Sequence, residues 1–246
     1  MKNIIFADGF VGLEICDWLF KYYHDDIGLV VVVNENGIKK LATEADIPVV
    51  VSKDEVKLFS TIEDYDFDWG LLIWWPKIIS DLLINSTING FINTHPSFLP
   101  YNRGKHFNFW TLVEQSPFGV SLHMVEKGID SGDIVAQSPI LYDWEDTGET
   151  LYRRSMDEMI VLFKETYPSL RNKKLQNIKQ DLSIGSFHYA NEIDAASCID
   201  INKTYLARDL LNLIRARTFK SHPACYFIED DGEEFEVRIE IMRRLK

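Results

Sequence analysis

Short, mainly apolar runs alternate with helical or polar segments along the first part of the chain. These runs occupy residues 4–7, 27–33, 49–51, 69–74 and 90–94. Continuous apolar runs are typical of strands whose two faces are both covered, as in a parallel sheet. After the Asp8-Gly9 turn, apolar positions between residues 11 and 20 recur at helical spacing. The pattern predicts an α/β fold with a mostly parallel sheet wrapped by helices.

The middle of the chain follows other patterns. Residues 118–125 and 133–140 alternate between apolar and polar positions, which predicts two antiparallel strands added to the sheet. Residues 146–149, Asp-Thr-Gly-Glu, predict the start of a helix that runs to about Tyr167 and is ended by Pro168. The polar stretch at 171–180 then predicts an exposed connector.

The last part of the chain predicts a separate unit. Leu206, Leu210 and Leu213 recur at helical spacing, and Asp230-Asp231-Gly232 between two apolar segments indicates a hairpin. We therefore predict two domains. Residues 1–185 form a Rossmann-like, mostly parallel twisted sheet with helices on both faces, and residues 190–246 form a small α+β subdomain of order β-α-β-β.

Composition and charge limit the classes of partner. Hydrophobic residues make up 46% of the chain, which is typical of a globular protein, and the formal net charge is −12. An acidic protein repels nucleic acid and anionic membranes, although a few local cations can still hold a small phosphorylated substrate. The three cysteines share no zinc-binding spacing, and the apolar run at 4–7 is too short for a signal peptide or a membrane span. We expect a cytoplasmic protein without a metal, a nucleic-acid partner or a membrane partner.

The residues with chemical potential lie between positions 93 and 133. Asn93 and His95 are two residues apart at the end of an apolar run, so both side chains leave the strand on one side, at the carboxyl edge of the sheet. Asp130 follows in a Gly-Ile-Asp-Ser-Gly segment. An amide, an imidazole and a carboxylate are the groups needed for acyl transfer to an amine. The same residue types are also common in ordinary turns and strand ends, so the residues alone leave both interpretations open.

The complete pattern resembles the formyltransferase family. It consists of Asn-x-His-Pro-Ser-x-Leu-Pro at 93–100, Gly-Val-Ser-Leu-His at 119–123 and Gly-Ile-Asp-Ser-Gly-Asp at 128–133. The family includes glycinamide ribonucleotide transformylases, methionyl-tRNA formyltransferases and nucleotide-sugar N-formyltransferases. The resemblance implies that Asn93, His95 and Asp130 are catalytic, that Asp133 is structural, and that 10-formyltetrahydrofolate is the cosubstrate. Four further histidines, His24, His123, His188 and His222, are interpreted as structural or surface residues.

The resemblance also implies where the folate binds. In relatives, backbone groups of the segment that follows the strand before the catalytic strand line the pterin pocket, and the loop that carries the catalytic aspartate closes the opposite side. The corresponding residues here are Trp75, Pro76, Lys77, Ile78, Ile79, Val125, Gly128, Ile129 and Asp130. A flat heteroaromatic ring needs such an apolar slot edged by a few backbone donors and acceptors. The alternative is that Trp74, Ile78 and Ile79 simply belong to the core.

Residues 101–110 resemble the corresponding segment of enzymes that act on dTDP-linked amino sugars. Arg103 and Lys105 lie beside a predicted helix start and can hold a pyrophosphate, while His106 and Phe109, together with Asn93, complete the implied substrate-binding set. The alternative is a solvated basic loop before a packed helix, with Phe109 in the core. The implied substrate is a dTDP-linked amino-dideoxy sugar used for O-antigen or another surface polysaccharide.

Two other functions and one assembly question stay open from the sequence. A methionyl-tRNA formyltransferase-like enzyme is disfavoured by the net charge of −12, and an inactive nucleotide-sugar binding module is disfavoured by the presence of all three catalytic residue types.

The C-terminal strand positions 234–242 have one apolar and one charged face, and a small sheet of this kind is only marginally stable alone. We therefore expect the C-terminal subdomain to form a homodimer, as related sugar N-formyltransferases do, rather than to pack on its own N-terminal domain.

Overall fold

The computed structural model describes residues 1–244. In chain order, its strands are β1 (Asn3–Ala7), β2 (Ile27–Val32), β3 (Val49–Val51), β4 (Trp69–Ile73), β5 (Phe91–His95), β6 (Arg103–Gly104), β7 (Gly119–Met124), β8 (Ile134–Pro139), β9 (Phe187–His188), β10 (Cys225–Ile228) and β11 (Glu234–Val237). Its α-helices are α1 (Gly9–Tyr22), α2 (Gly37–Glu44), α3 (Glu55–Ile62), α4 (Asp81–Ile84), α5 (Phe107–Glu114), α6 (Gly148–Arg171), α7 (Glu192–Ala196) and α8 (Ala207–Arg217).

The main sheet has the strand order β3-β2-β1-β4-β5-β7-β8. The pairs from β3 to β5 are all parallel, and β7 pairs with β5 in the antiparallel direction. Every residue of β1 and of β4 is buried, as their uninterrupted apolar runs predict. The predicted fold class, a mostly parallel Rossmann-like sheet with helices and a small C-terminal α+β part, is confirmed.

The strand that leads to the candidate site is fixed by close packing. Gly70 on β4 pairs with Phe91 on β5, and a Cβ at Gly70 would collide with the Phe91 ring. Phe91 also packs against Phe6 of β1, with ring centroids 5.7 Å apart. Both rings belong to an apolar cluster that includes residues of four of the parallel strands, β1, β2, β4 and β5. The end of β5 is therefore held by a dense core, which limits movement of the side chains that follow.

The chain forms two compact units, each built from separate segments. The first contains Met1–His95, Ser121–Gln137 and Met156–Gln180. The second contains Pro96–Val120, Ser138–Ser155 and the chain from Asp181 on. The division predicted from the sequence, with a boundary between residues 185 and 190, stays a prediction.

Helix α6 continues beyond the predicted end. Pro168 lies inside the helix, which ends at Arg171, so the prediction that Pro168 stops it was wrong. A proline removes one helical hydrogen bond, but the last turn here is held by packing. Tyr167 and Leu170 are 1% and 2% exposed, and the buried carboxylate of Asp26 accepts from the Tyr167 hydroxyl at 3.2 Å and from Arg171 Nε at 2.7 Å. Tertiary contacts therefore outweigh the local signal.

The C-terminal part of the second unit contains α7, α8 and an antiparallel hairpin of β10 and β11. The hairpin turn at Asp230-Asp231-Gly232 is confirmed, with Gly232 in the left-handed region at φ 88°. The first strand of the predicted β-α-β-β order is reduced to one bridge between Cys198 and Tyr226. The chain turns away directly afterwards, because the Asn202 N–H donates to the Asp200 carboxylate at 3.0 Å. That turn prevents a longer ladder.

Two of the three cysteines are buried, as is usual for small apolar residues. All three are free, and Cys16 and Cys225 are buried. Burial raises the pKa of Cys225 to about 12 and raises that of Cys16 further. These two thiols therefore remain protonated and unreactive at neutral pH. Within residues 1–244, none of the helices is long and apolar enough to cross a membrane.

Candidate active site

Strand β5 ends with the predicted catalytic residues on one side. Asn93 and His95 alternate with Thr94, whose side chain takes part in a different set of bonds. The Thr94 hydroxyl accepts from the Trp74 N–H at 2.8 Å and donates to the Leu72 carbonyl at 3.1 Å. Thr94 thereby ties the end of β5 to the end of β4. Asn93 and His95 share the opposite side, and His95 is only 5% exposed.

Asp130 reaches the same place from the loop between β7 and β8. Its backbone has φ 50°, in the left-handed region that aspartate tolerates better than most residues. Its Oδ2 lies 3.4 Å from His95 Nδ1, and its Oδ1 accepts from Asn93 Nδ2 at 3.4 Å. The Gln180 side-chain amide donates to the backbone carbonyl of Asp130 at 3.0 Å and to that of Gly132 at 2.6 Å. The structure thus brings the three predicted side chains together in the first unit.

A fourth side chain, His123 on β7, completes this cluster. The β5–β7 register places His123 directly opposite Asn93. Its Nε2 is 3.1 Å from Asn93 Nδ2 and 3.5 Å from Asp130 Oδ1, and the residue is 2% exposed. Reasoning from the sequence missed this placement and treated His123 as structural. The signal was the Gly-Val-Ser-Leu-His motif, whose last residue can be matched to Asn93 only once the register is known.

The buried position of these groups strengthens their electrostatic interactions. The side chains of His95, His123 and Asp130 are 6%, 3% and 12% exposed, respectively. With little water between them, the Asp130 carboxylate stabilises a positive charge on the His95 imidazole, 3.4 Å away, and holds that ring in one orientation. The cluster can therefore donate hydrogen bonds to an oxygen that becomes negative and can relay a proton.

The predicted folate-binding residues of the first unit divide into buried and exposed groups. Trp75, Ile79 and Val125 belong to or pack against the apolar cluster that includes Phe91. Lys77 and Ile78 are exposed, as is Pro76, and Ile78 is 78% exposed. The interpretation of Ile78 as a core residue was therefore wrong. Among the loop residues, Gly128 and Ile129 are exposed, and Asp130 is half-buried.

The predicted substrate residues other than Asn93 lie in the second unit. Strand β6 pairs with β9, and the Lys105 N–H donates to the His188 carbonyl at 3.0 Å. Lys105 itself is exposed. The Arg103 guanidinium lies 5.8 Å from the centre of the Phe187 ring. Phe109 is 1% exposed and contacts Trp110 edge-on. Its side chain packs in the core, as the alternative interpretation held, and is not presented to a ligand.

His106 occupies a strained turn at the start of α5. Its φ is 59°, and its Nε2 lies 3.2 Å from the Ala190 carbonyl, to which it can donate. Partial burial lowers the pKa of the His106 imidazole below its usual range, and the nearby charges of Arg217 and Lys105 act in the same direction. The His106 imidazole is therefore harder to protonate than an ordinary histidine, and the single N–H of its neutral form is used at Nε2 by the Ala190 carbonyl. Within residues 1–244, no group of His, Cys, Asp and Glu has the arrangement of a metal site.

Comparison with known families agrees with these motifs. The model described as "Formyl transferase" matches residues 24–166, and the model described as "N-formyltransferase dimerization C-terminal domain" matches residues 192–243. A curated relative is the dTDP-4-amino-4,6-dideoxyglucose formyltransferase of Mycobacterium bovis, 26% identical over 148 residues. That match covers 60% of this chain and 63% of the relative's length.

Solved structures with higher coverage share the fold. A 4-N formyltransferase from Francisella tularensis has a TM-score of 0.82 at 22% identity and covers 99% of this chain and 98% of that one. An N-formyltransferase from Helicobacter canadensis, solved with folinic acid and dTDP-3-aminofucose, has a TM-score of 0.73 at 18% identity, with coverages of 94% and 84%. Because the first family model matches more than half of its residues, this chain belongs to the formyl transferase family.

Proposed function

We propose that this protein transfers a formyl group from 10-formyltetrahydrofolate to the amine of a dTDP-linked amino-dideoxy sugar. The observation that carries the proposal is the convergence of Asn93, His95 and Asp130 at the carboxyl end of β5, in a chain of this family. The curated relative from Mycobacterium bovis and the Helicobacter canadensis protein, by their names and ligands, support this substrate class. The sugar product serves O-antigen or another surface polysaccharide.

The three side chains have complementary roles in this reaction. A C–N bond forms between the sugar amine and the formyl carbon, the bond from that carbon to the folate nitrogen breaks, and one proton passes from the amine to the folate nitrogen. The Asn93 amide and a protonated His95 donate to the formyl oxygen as it becomes negative. His95 also moves the proton, directly or through water, while Asp130 orients its ring through the 3.4 Å contact. This route uses no serine or cysteine nucleophile.

The folate donor supplies an activated formyl group, and several features of the first unit fit its flat ring. Residues 76–78 are exposed and lie between the partly buried Trp75 and the buried Ile79, so main-chain groups of this segment can edge an apolar surface. Trp75 Nε1 is buried and has no hydrogen-bond partner among the described residues. We assign folate binding to Trp75, Pro76, Lys77, Ile78, Ile79, Val125, Gly128, Ile129 and Asp130.

The phosphates of the acceptor are assigned to Arg103 and Lys105, and His106 is the neighbouring residue of the same proposed substrate set. Arg103 Nε is buried and has no hydrogen-bond partner within residues 1–244, so its N–H is available to an anion. A small anion is favoured over tRNA, because the formal net charge of −12 opposes the counterion release on which polyanion binding depends.

We also propose a homodimer formed through the C-terminal subdomain and a cytoplasmic location. The family model for residues 192–243 carries a dimerization description. The hairpin of β10 and β11 exposes Ile228 and Phe235 by 45% and 43%, which is apolar surface that a second copy can cover. The three free cysteines suit a reducing compartment.

A single assay with competing acceptors tests the function. Purified full-length protein is mixed with 10-formyltetrahydrofolate and dTDP-sugars that carry an amine at C3 or C4, a UDP-amino sugar, methionyl-tRNA or glycinamide ribonucleotide. With a dTDP-amino sugar as the acceptor, we expect release of tetrahydrofolate and a sugar product whose mass shows one added formyl group. Formylation of methionyl-tRNA alone, or binding of the nucleotide sugar without turnover of any acceptor, would overturn the proposal.

A further inference from the structure

His123 is fixed at both ends of its ring. Its Nδ1 lies 2.8 Å from the Met124 carbonyl oxygen. A carbonyl only accepts hydrogen bonds, so Nδ1 carries the proton in this contact. In a neutral ring the other nitrogen, Nε2, is then unprotonated and acts as an acceptor. Because the side chain is only 3% exposed, water does not compete for this arrangement.

The unprotonated Nε2 selects one orientation of the Asn93 amide. The Asn93 Nδ2 group lies 3.1 Å from His123 Nε2 and donates one of its two protons there. An amide oxygen in that place would bring two lone pairs together, so the flipped amide is disfavoured. The second Nδ2 proton faces Asp130 Oδ1 at 3.4 Å, which is a longer and weaker bond.

A protonated His123 agrees less well with these distances. The charged groups and rings that face it are Asp130, at 3.5 Å, and His95, with ring centroids 6.1 Å apart. An imidazolium Nε2–H would have the Asp130 Oδ1 acceptor at 3.5 Å, but the Asn93 NH2 group, which is closer at 3.1 Å, offers it no acceptor. The neutral ring with its proton on Nδ1 satisfies both Asn93 and Met124.

We propose that His123 is a positioning residue that holds the Asn93 amide so that its second proton faces the reacting formyl oxygen. This role rests on the proposed formyl transfer. One Nδ2 proton is bound by the ring, and the other leaves its long bond to Asp130 when a negative oxygen arrives. Because the ring already fixes the plane of the amide, only this weak bond to Asp130 is exchanged during the reaction, and that is the source of its effect on rate.

The ring state of His123 can be measured without any substrate. Full-length protein with 15N-labelled histidine gives long-range 1H–15N correlations that distinguish the two tautomers and the imidazolium, and loss of one set in His123→Gln assigns it. We expect a protonated Nδ1 and an unprotonated Nε2 at neutral pH. A protonated Nε2, in either the other tautomer or the imidazolium, would overturn the inference.

A matched pair of variants separates positioning from packing. In His123→Gln, the side-chain oxygen can replace Nε2 as the acceptor for Asn93, whereas in His123→Asn the amide nitrogen replaces only the Nδ1 donor to Met124. We expect kcat to fall about tenfold in His123→Asn, the cost of losing one hydrogen bond, and by less than about threefold in His123→Gln. The KM values for both substrates stay unchanged. Equal kcat losses in the two variants would indicate a packing role only.

A double-mutant cycle tests whether His123 acts through Asn93. In an Asn93→Ala background, adding His123→Asn should change kcat by less than about twofold, because the positioned group is absent. Full additivity of the two losses would overturn the inference. The outcomes stay distinguishable from failure of the proposed function: an inactive wild type would contradict formyl transfer, whereas an active wild type with an unchanged His123→Asn variant would contradict only the role of His123.

Discussion

His95 and Asp130 form a close pair although they come from different parts of the first unit. His95 ends β5, Asp130 lies in the loop after β7, and His95 Nδ1 is 3.4 Å from Asp130 Oδ2. The antiparallel β5–β7 pairing brings the two segments side by side, with His95 opposite Ser121. Both side chains are largely removed from water. The pair is therefore held by the sheet itself and not by a flexible surface loop alone.

Replacing His95 by alanine should stop most turnover. We expect His95→Ala to lower kcat by about 100-fold to 10,000-fold, the range for a positioned acid or base, while the dTDP-sugar affinity measured by calorimetry stays nearly unchanged. His24→Ala is the matched control, because the His24 side chain is 51% exposed and lies outside the cluster. A His95→Ala enzyme with near-wild-type kcat would contradict the assignment of the active site.

Replacing Asp130 by asparagine should affect rate more than stability. Asparagine tolerates the left-handed backbone that Asp130 adopts at φ 50°, and the Gln180 contact is made to the backbone carbonyl, which the variant keeps. We expect impaired formyl transfer with little change in the thermal unfolding midpoint. A strongly lowered midpoint together with normal kcat in the folded fraction would mean that Asp130 is a structural residue of the loop.

Replacing Lys105 should weaken the binding of one ligand only. The Lys105 backbone N–H is bonded to the His188 carbonyl, so Lys105→Ala removes an exposed charge and leaves the backbone in place. We expect a weaker affinity for the dTDP-sugar and an unchanged affinity for the folate, measured by titration calorimetry. Lys53→Ala, another exposed lysine, serves as the control. Equal weakening for both ligands, or for neither, would argue against a phosphate-binding role.

The proposed dimer can be tested on the full chain. Because residues 96–120 and 138–155 belong to the same compact unit as the C-terminal part, truncation near residue 185 would remove much of that unit. Phe235→Glu instead replaces an apolar side chain, which is 43% exposed and stacks on Phe227, with a charged one. Light scattering should detect a dimer for the wild type and a monomer for Phe235→Glu. Val56→Glu, at a 69% exposed position of α3, should stay dimeric.

A Phe235→Glu protein that remains a dimer would place the interface elsewhere. Circular dichroism spectra of the variant and the wild type should coincide, which separates a lost interface from a lost fold. A wild type that is monomeric would contradict the homodimer directly.

His106 should make the folded state less stable in acid. Its pKa is lowered in the folded protein, chiefly by burial, so the unfolded chain binds the proton more readily. Stability therefore rises with pH where the unfolded state holds more protons, and the contribution of His106 is lost as the pH falls below its usual pKa of about 6.5. Urea titrations at pH 7.5 and 5.5 should show a smaller pH-dependent loss for His106→Gln than for the wild type. An equal or larger loss would contradict this.

Local patterns in the sequence are sufficient to predict most strands of the main sheet and to place Asn93 and His95 side by side at the site. The apolar runs predict β1, β2, β4 and the start of β5, because buried parallel strands need apolar side chains on both faces. The two-residue spacing of Asn93 and His95 places both on one side of β5, since alternation is a property of any strand. The motifs at 93–100, 119–123 and 128–133 indicate the family without any knowledge of the fold.

Other features depend on contacts between residues that are distant in the sequence. His123 joins the cluster only through the β5–β7 register, and a shift of that register by one residue would turn its side chain to the opposite face. Helix α6 continues through Pro168 because Asp26 binds Tyr167 and Arg171. Phe109 looks like a ligand contact in sequence but is buried in the core. In each case a long-range packing or pairing energy outweighs the local preference, and that energy is decided only when the chain has folded.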